Sequence, residues 1–313
     1  MKRMKKAFRA FRSMEKGKNS QMANGKKSIF FVSLEVNMKP KLYKFSGAGN
    51  DFVLVDGREG DVERFREKET IGELCRRFST DGLMILGNAA PAGEPGTAKT
   101  VPETDFSMEF FNPDGTGGMM CGNGGRCIVA FADMLGIKPS GDCYVFMAGD
   151  GLHTAKILDK EPGGKWTVRL KMTDVQGVQP VLGGYFTNTG TRHFVKFVPD
   201  VNAIDINADG PRYRHDPAFA PEGANANFVQ VAQDGLHVRT FEKGVEGETL
   251  ACGTGITASS LVASFARKTA LTAVPVQCRR GDWLKVEFEI TGPGCFRNVY
   301  LTGPATLELI NEE

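Results

Sequence analysis

Two short segments of the 313-residue chain place a cysteine directly before Gly-x-Gly: Met120-Cys121-Gly122-Asn123-Gly124 and Ala251-Cys252-Gly253-Thr254-Gly255. Each is followed within a few positions by apolar residues at helical spacing. Glycine lets the backbone approach a ligand closely. A helix start adds unpaired N–H groups and a partial positive charge, and the two together hold an anion such as a carboxylate. The same field favours a thiolate over a thiol. One such segment is a carboxylate site with a reactive sulfur; two of them, facing each other, bracket one substrate. The chemistry that suits the pair is removal of a weakly acidic C–H proton beside a carboxylate. Charge that builds on the carboxylate meets preorganised N–H donors. Cys121 or Cys252 as thiolate takes the proton from one face, and the other as thiol returns one to the opposite face, inverting the carbon. That reaction needs no cofactor.

The elements that must position these segments can be read around them. Leu42 to Gly57 (LYKFSGAGNDFVLVDG) reads as strand, glycine turn and strand, residues 61–78 as an exposed helix or two short ones, and 81–87 as a strand. The stretch 88–105 reads as a loop and 108–112 as a short strand before the turn Pro113-Asp114-Gly115. Helical spacing over Arg126–Leu135 stops at Gly136. Further strands are expected at CYVFMAG, HTAKILD, WTVRLKM, RHFVKFV, ANFVQVA and LHVRTFE. A second helix is expected at ITASSLVASFARKTA, and WLKVEFEI and NVYLTGPATLEL close the chain. Each half is thus strands, a cysteine with Gly-x-Gly, and a helix, the two cysteines standing 131 residues apart, which points to an internal duplication.

The composition bounds the alternatives. With 41% hydrophobic and 24% charged residues and no apolar run of about eighteen, neither a disordered chain nor a membrane span is expected. Seven cysteines without a C-x-x-C pair, and four scattered histidines, argue against a disulfide scaffold or a metal site and for a reducing cytoplasm. Gly47-Ala48-Gly49 runs into the apolar strand FVLV and not into a helix, so a dinucleotide site is not expected. Residues 1–37 carry a local charge of +8 within a total of +2. They read as an extension or misassigned start before Met38, in preference to a targeting peptide or a basic arm for nucleic acid or membrane.

At GAGNDFVLVD, FNPDG with MCGNGGRC, GANANFV, TFEKGVEGETLACGTG and VYLTGPA the sequence resembles the diaminopimelate epimerase family, over residues 38–313. The resemblance implies a cofactor-independent isomerase that converts L,L-diaminopimelate to the meso form, with an amino acid as its small-molecule partner. It implies two pseudo-symmetric α/β domains, each a curved mixed β-sheet around a central helix. The first is expected over 38–151 plus 295–313 and the second over 152–294. Cys121 and Cys252 would be the acid–base pair, while Gly122 with Asn123 and Gly253 with Thr254 would hold the reacting carboxylate. Asn50, Asn112 and Asn225 would line the site, Glu242 would bind the distal ammonium or bias the nearby thiol, and His193 would stand near the first cysteine. Tyr300 would mark a homodimer contact.

The sequence departs from the family in three places. Lys243 stands where the family has arginine, a mobile point charge in place of a planar fork for a carboxylate. Thr191-Arg192-His193 replaces Asn-Pro-His, and the segment Cys75 to Gly82 is shorter than its counterpart. All three bear on the far end of the substrate. A racemase of another amino acid, such as proline or hydroxyproline, is the alternative they leave open; a non-catalytic amino-acid-binding or thiol redox protein is a more distant one.

Overall fold

The computed structural model describes residues 40–58, 60–89, 103–118 and 120–312. The basic head, Met38 and most of the 88–105 loop lie outside these residues. Along the chain run β1 (Lys41–Ser46), β2 (Asp51–Asp56), α1 (Lys68–Phe78), β3 (Gly82–Gly87), β4 (Phe106–Phe111), α2 (Gly122–Met134), β5 (Tyr144–Ala148), β6 (Gly151–Glu161) and β7 (Lys165–Lys171). There follow β8 (Val178–Val181), β9 (Gly184–Asn188), β10 (Arg192–Phe197), α3 (Ile206–Arg214), β11 (Asn225–Val231), β12 (Leu236–Glu242), β13 (Gly247–Thr249), α4 (Gly253–Phe265), β14 (Ala273–Gln277), β15 (Trp283–Gly292) and β16 (Cys295–Glu312). The fold is mixed α/β and mostly strand. No described helix is long and apolar enough to cross a membrane.

The duplication suggested by the two cysteine segments is written in the strand pairing. β2 and β3 are parallel with α1 between them, β3 and β4 are antiparallel, and β4 and β5 are parallel with α2 between them. β10 and β11 are parallel with α3 between them, β11 and β12 are antiparallel, and β12 and β14 are parallel with α4 in their connection. Parallel neighbours require a crossover, and in each half two helices supply them. α2 and α4 are the inner helices: eleven of thirteen residues in α2 and ten of thirteen in α4 are buried. α1 and α3 cover the outer faces. Strand β2 is apolar at every interior position because Phe52 and Leu54 face the main core while Val53 and Val55 face the cluster under α1. A strand covered on both sides loses the alternation of a half-exposed one.

In the first half β1 to β7 pair in sequence, β7 pairs with β16, and β16 returns to pair with β1, closing a ring. The boundary expected at Gly151 falls inside that ring. β6 continues the pairing of β5 through the hairpin at Ala148–Gly151, and β7 hands on to β16, so no break in hydrogen bonding occurs there. β16 serves both halves, pairing with β15 over Cys295–Thr302 and with β7 over Gly303–Thr306.

Both inner helices begin earlier than their apolar pattern. α2 starts at Gly122 and not Arg126, because the glycine cluster forms its first turn with Cys121 as N-cap; α4 starts at Gly253 with Cys252 as N-cap. α4 ends at Phe265, where Arg267 takes a positive φ of 53°. α3 was not expected, since Gly210 and Pro211 interrupt its pattern; Asp205 caps it by accepting from the Asn207 and Ala208 N–H groups.

The turn between β1 and β2 packs on the segment that leads into α4. Gly49 has a φ of +108°, and a Cβ there would lie 2.8 Å from the Ala251 nitrogen. Gly49→Ala is therefore expected to lower the unfolding free energy by about 2 kcal/mol in urea titration, from backbone strain and clash together. Gly60→Ala, at a φ of +88° with open space around it, should lose less. Equal losses at the two positions would show that the contact with Ala251 contributes nothing.

Candidate active site

The two helix starts meet at their first residues. A Cβ built on Gly253 would stand 3.4 Å from the Gly122 Cα, and one built on Gly122 would stand 3.6 Å from the Gly253 Cα, with Leu301 against both. The N-cap sulfurs therefore belong to helices whose N-terminal ends abut. First-turn N–H groups have no carbonyl one turn back to bond to, so Gly122, Asn123, Gly253 and Thr254 present donors at this junction. A cavity of about 540 Å³ opens over it, lined by both cysteines and these four residues, and also by Asn50, Asn112, Asn225, Glu242 and Lys243. A second cavity of the same volume shares Asn188 and Gly190 with it but contains neither cysteine.

Arg126, fully buried, ties the junction together. It donates from Nη1 to the Gly122 carbonyl at 3.0 Å, from Nη2 to the Gly47 carbonyl at 2.8 Å and to Asn123 Oδ1 at 2.9 Å, and from Nε to the Pro304 carbonyl at 3.3 Å. The Asn123 amide in turn donates to Asn50 Oδ1 at 2.7 Å and to the Ala251 carbonyl at 3.4 Å. The side chain of Asn123 is thus committed to the scaffold, while its backbone N–H faces the Cys121 sulfur. Asn225 is committed likewise: its amide donates to the Arg192 carbonyl at 3.1 Å and accepts from the Lys243 N–H at 2.7 Å. It holds two cationic residues of the cavity side by side. Asn112 donates to Thr116 Oγ1 at 3.0 Å within its own turn.

The two sulfurs differ in their surroundings. Cys121 is half-buried and accepts from the Gly124 N–H at 3.2 Å. Burial pushes its thiol pKa up, the Gly124 N–H and the Arg126 charge oppose that, and Glu242 adds to it. Cys252 is buried; within its own helix start Thr254 Oγ1 lies 3.4 Å from its sulfur and the Gly255 N–H faces it. Burial and the Glu242 carboxylate push the Cys252 thiol up, and Thr254 works against them. Burial also raises the Glu242 carboxyl, with the neighbouring Cys252 pulling it back.

His193 does not line the cavity. It is fully buried, and its hydrogen bonds lead toward the second cysteine, not the first: Thr191 Oγ1 lies 2.8 Å from its Nε2 and Thr254 Oγ1 lies 3.0 Å beyond. Burial lowers its pKa to about 3, so it is a neutral imidazole at neutral pH. Cavity-wall residues to which the sequence reading gave no site role include Asn188, Arg192 and Glu222. The Arg192 fork faces Glu222 at 3.5 Å, and its guanidinium lies 5.3 Å from the Phe186 ring centroid. The replacement of proline by arginine at 192 was the signal available in the sequence. Tyr300 lies on β16, away from the cavity, with the Arg169 guanidinium 3.8 Å from its ring centroid.

Comparison with known proteins agrees with this geometry. The chain matches the family described as diaminopimelate epimerase over residues 42–176 and 185–308. It is 36% identical to the diaminopimelate epimerase of Chlorobaculum tepidum over 269 residues, spanning 83% of this chain and 96% of that one. It is 37% identical to the enzyme of the same name from Flavobacterium psychrophilum over 271 residues, 85% and 96% of the two chains. Among solved structures, a phenazine biosynthesis protein of Bacillus anthracis superposes with a TM-score of 0.64 at 12% identity, covering 88% of this chain and 99% of that one. A hydroxyproline epimerase of Agrobacterium vitis superposes at 0.55 with 14% identity, covering 88% and 92%. These two share the fold. By sequence over most of its length, the chain belongs to the diaminopimelate epimerase family.

Proposed function

We propose that this protein interconverts L,L- and meso-diaminopimelate by moving one proton off Cα to one cysteine and another onto Cα from the other. The observation that carries this reading is the meeting of two cysteine-capped helix starts at Gly122 and Gly253 under one cavity. The reacting carboxylate lies against the N–H groups of both helices. Cα then stands between Cys121 and Cys252, so a thiolate on one side and a thiol on the other act on opposite faces. Charge that develops on the carboxylate is stabilised by donors already aimed at it. Glu242, beside Cys252, keeps that thiol protonated when its turn as acid comes.

The far end of the substrate carries a second ammonium and carboxylate. Lys243 and Arg192, held together by Asn225, are the cations that meet the distal carboxylate, and Glu222 with Asn112 suits the ammonium. The arginine fork absent at 243 is thereby supplied from 192. This pairing favours diaminopimelate over proline-like substrates, which have no second charged end. We also propose that the working halves divide near Met172, that the protein acts as a homodimer with Tyr300 at the contact, and that it works in the cytoplasm, where both thiols stay reduced.

In deuterated water the purified protein should introduce deuterium at Cα of L,L-diaminopimelate, read by proton NMR. Cys121→Ser and Cys252→Ser should each slow epimerisation by about 10²- to 10⁴-fold. Undiminished exchange in both variants would end the two-thiol reading. Arg192→Met should raise KM for diaminopimelate by about tenfold with a smaller change in kcat, the pattern of lost uniform binding; an unchanged KM would remove Arg192 from the distal subsite.

A further inference from the structure

Two of the charged groups at the far end of the cavity stand on turns: Glu222 ahead of β11, and Lys243 just after β12. One side chain reaches behind both. Arg214, the last residue of α3, is buried, and the helix it ends is firmly seated. Tyr213 stacks on Phe194 of β10 with ring centroids 4.7 Å apart, and a Cβ on Gly210 would come within 2.5 Å of the Phe241 ring on β12. From that platform Arg214 Nη1 donates to the Glu222 carbonyl at 3.3 Å, and the Arg214 carbonyl accepts from the Ala224 N–H at 3.3 Å. Gly223 has a φ of +70° and passes so close that a Cβ there would overlap Nη1. On the other side, Arg214 Nε and Nη2 donate to Glu246 Oε1 at 3.1 and 2.9 Å. The same oxygen accepts from the Gly244 N–H at 3.1 Å, and the Glu246 N–H donates to the Glu242 carbonyl at 2.8 Å. The turn that carries Lys243 is thus folded over one carboxylate, whose other oxygen lies 3.1 Å from His215 Nε2.

Neither Arg214 nor Glu246 lines the cavity. A planar guanidinium with charge-assisted bonds to two turns fixes the spacing between them, because its donors are rigidly related. We infer that Arg214 and Glu246 are positioning residues that set Glu222 and Lys243 apart, and so set the spacing of ammonium and carboxylate that the far end of the cavity accepts. Arg192 follows both: its fork faces Glu222, and its carbonyl is held by the Asn225 amide that also holds the Lys243 N–H. None of these hydrogen bonds reaches the first turn of α2 or α4, so the sulfur end is built separately. The inference deepens the proposed reaction at its far end; it rests on that reading for the identity of the ligand, not for the placing of the two turns.

Arg214→Met and Glu246→Ala break the bracket from its two ends. Hydrogen–deuterium exchange read by mass spectrometry should show the amides of 222–225 and 243–246 exchanging about tenfold faster in either variant, with those of α2 and α4 unchanged. Each variant should raise KM for diaminopimelate about tenfold while kcat stays within about twofold, and the double variant should lose no more than either alone. Iodoacetamide alkylation of Cys121 and Cys252 should be unmoved, which a general loosening of the fold would not leave so. Glu246→Gln, which keeps an oxygen for Arg214 and Gly244, should lie close to the wild type in every reading. Unmoved amide exchange in a folded variant would overturn the inference whatever the protein turns over, and faster exchange with an unchanged KM would overturn its link to the ligand. Where Arg214→Met does not fold, Glu246→Ala, at a partly exposed residue, carries the same readings. A wild-type protein that leaves Cα of diaminopimelate unexchanged would overturn the proposed reaction instead, and amide exchange would still decide the bracket.

Discussion

The close approach of Gly122 and Gly253 is the constraint from which the rest of the architecture follows. Two helices that begin against each other present like ends of their dipoles, an arrangement with no favourable electrostatics of its own. Arg126, a buried cation bonded to three carbonyls and an amide oxygen, adds positive charge to the same place. Such a junction is stable only in a scaffold that holds it from outside, and only an anion brings it into balance. The closed ring around α2 and the two-sided cover of β2 and β3 are that scaffold. The carboxylate proposed for this place is such an anion.

The duplication gives the junction its symmetry, and small departures from it give the two sulfurs their separate characters. Both are N-caps, both precede Gly-x-Gly, and both helices fill a crossover between parallel strands. Yet one sulfur leans on a backbone N–H and lies nearer the buried guanidinium, while the other sits between a carboxyl and a hydroxyl. A reaction that runs both ways needs two groups of comparable basicity reached by different means. Identical surroundings would not accommodate a substrate whose two faces differ.

Much of this was legible in the chain. Cys121 and Cys252 with their glycines identify the helix starts, and the repeat of strand, cysteine and helix identifies the duplication. Local pattern failed where glycine or proline obscures a helix, as in the first turns of α2 and α4 and throughout α3. At Gly151 a hairpin and a boundary between halves look alike in sequence, since both are glycine turns between strands. The hydrogen bonds that run from Asn227 through His193 and Thr191 to Thr254 could not be read at all. They depend on the parallel register of β10 and β11, which sets His193 opposite Asn225 and brings Asn227 within reach. Asn225 was expected to line the site with its side chain; in the fold its amide is spent on the Arg192 carbonyl and the Lys243 N–H, and the neighbours it positions face the cavity.

The long strand β16 has a consequence for how the molecule comes into being. It is the last of the described strands, yet it pairs with β1, the first of them, and it joins β7 to β15. Until it emerges, the ring around α2 has an open seam and Arg126 lacks the Pro304 carbonyl. Neither half can be finished early and left to wait for the other. During vectorial synthesis, therefore, both halves wait for the one strand that they share.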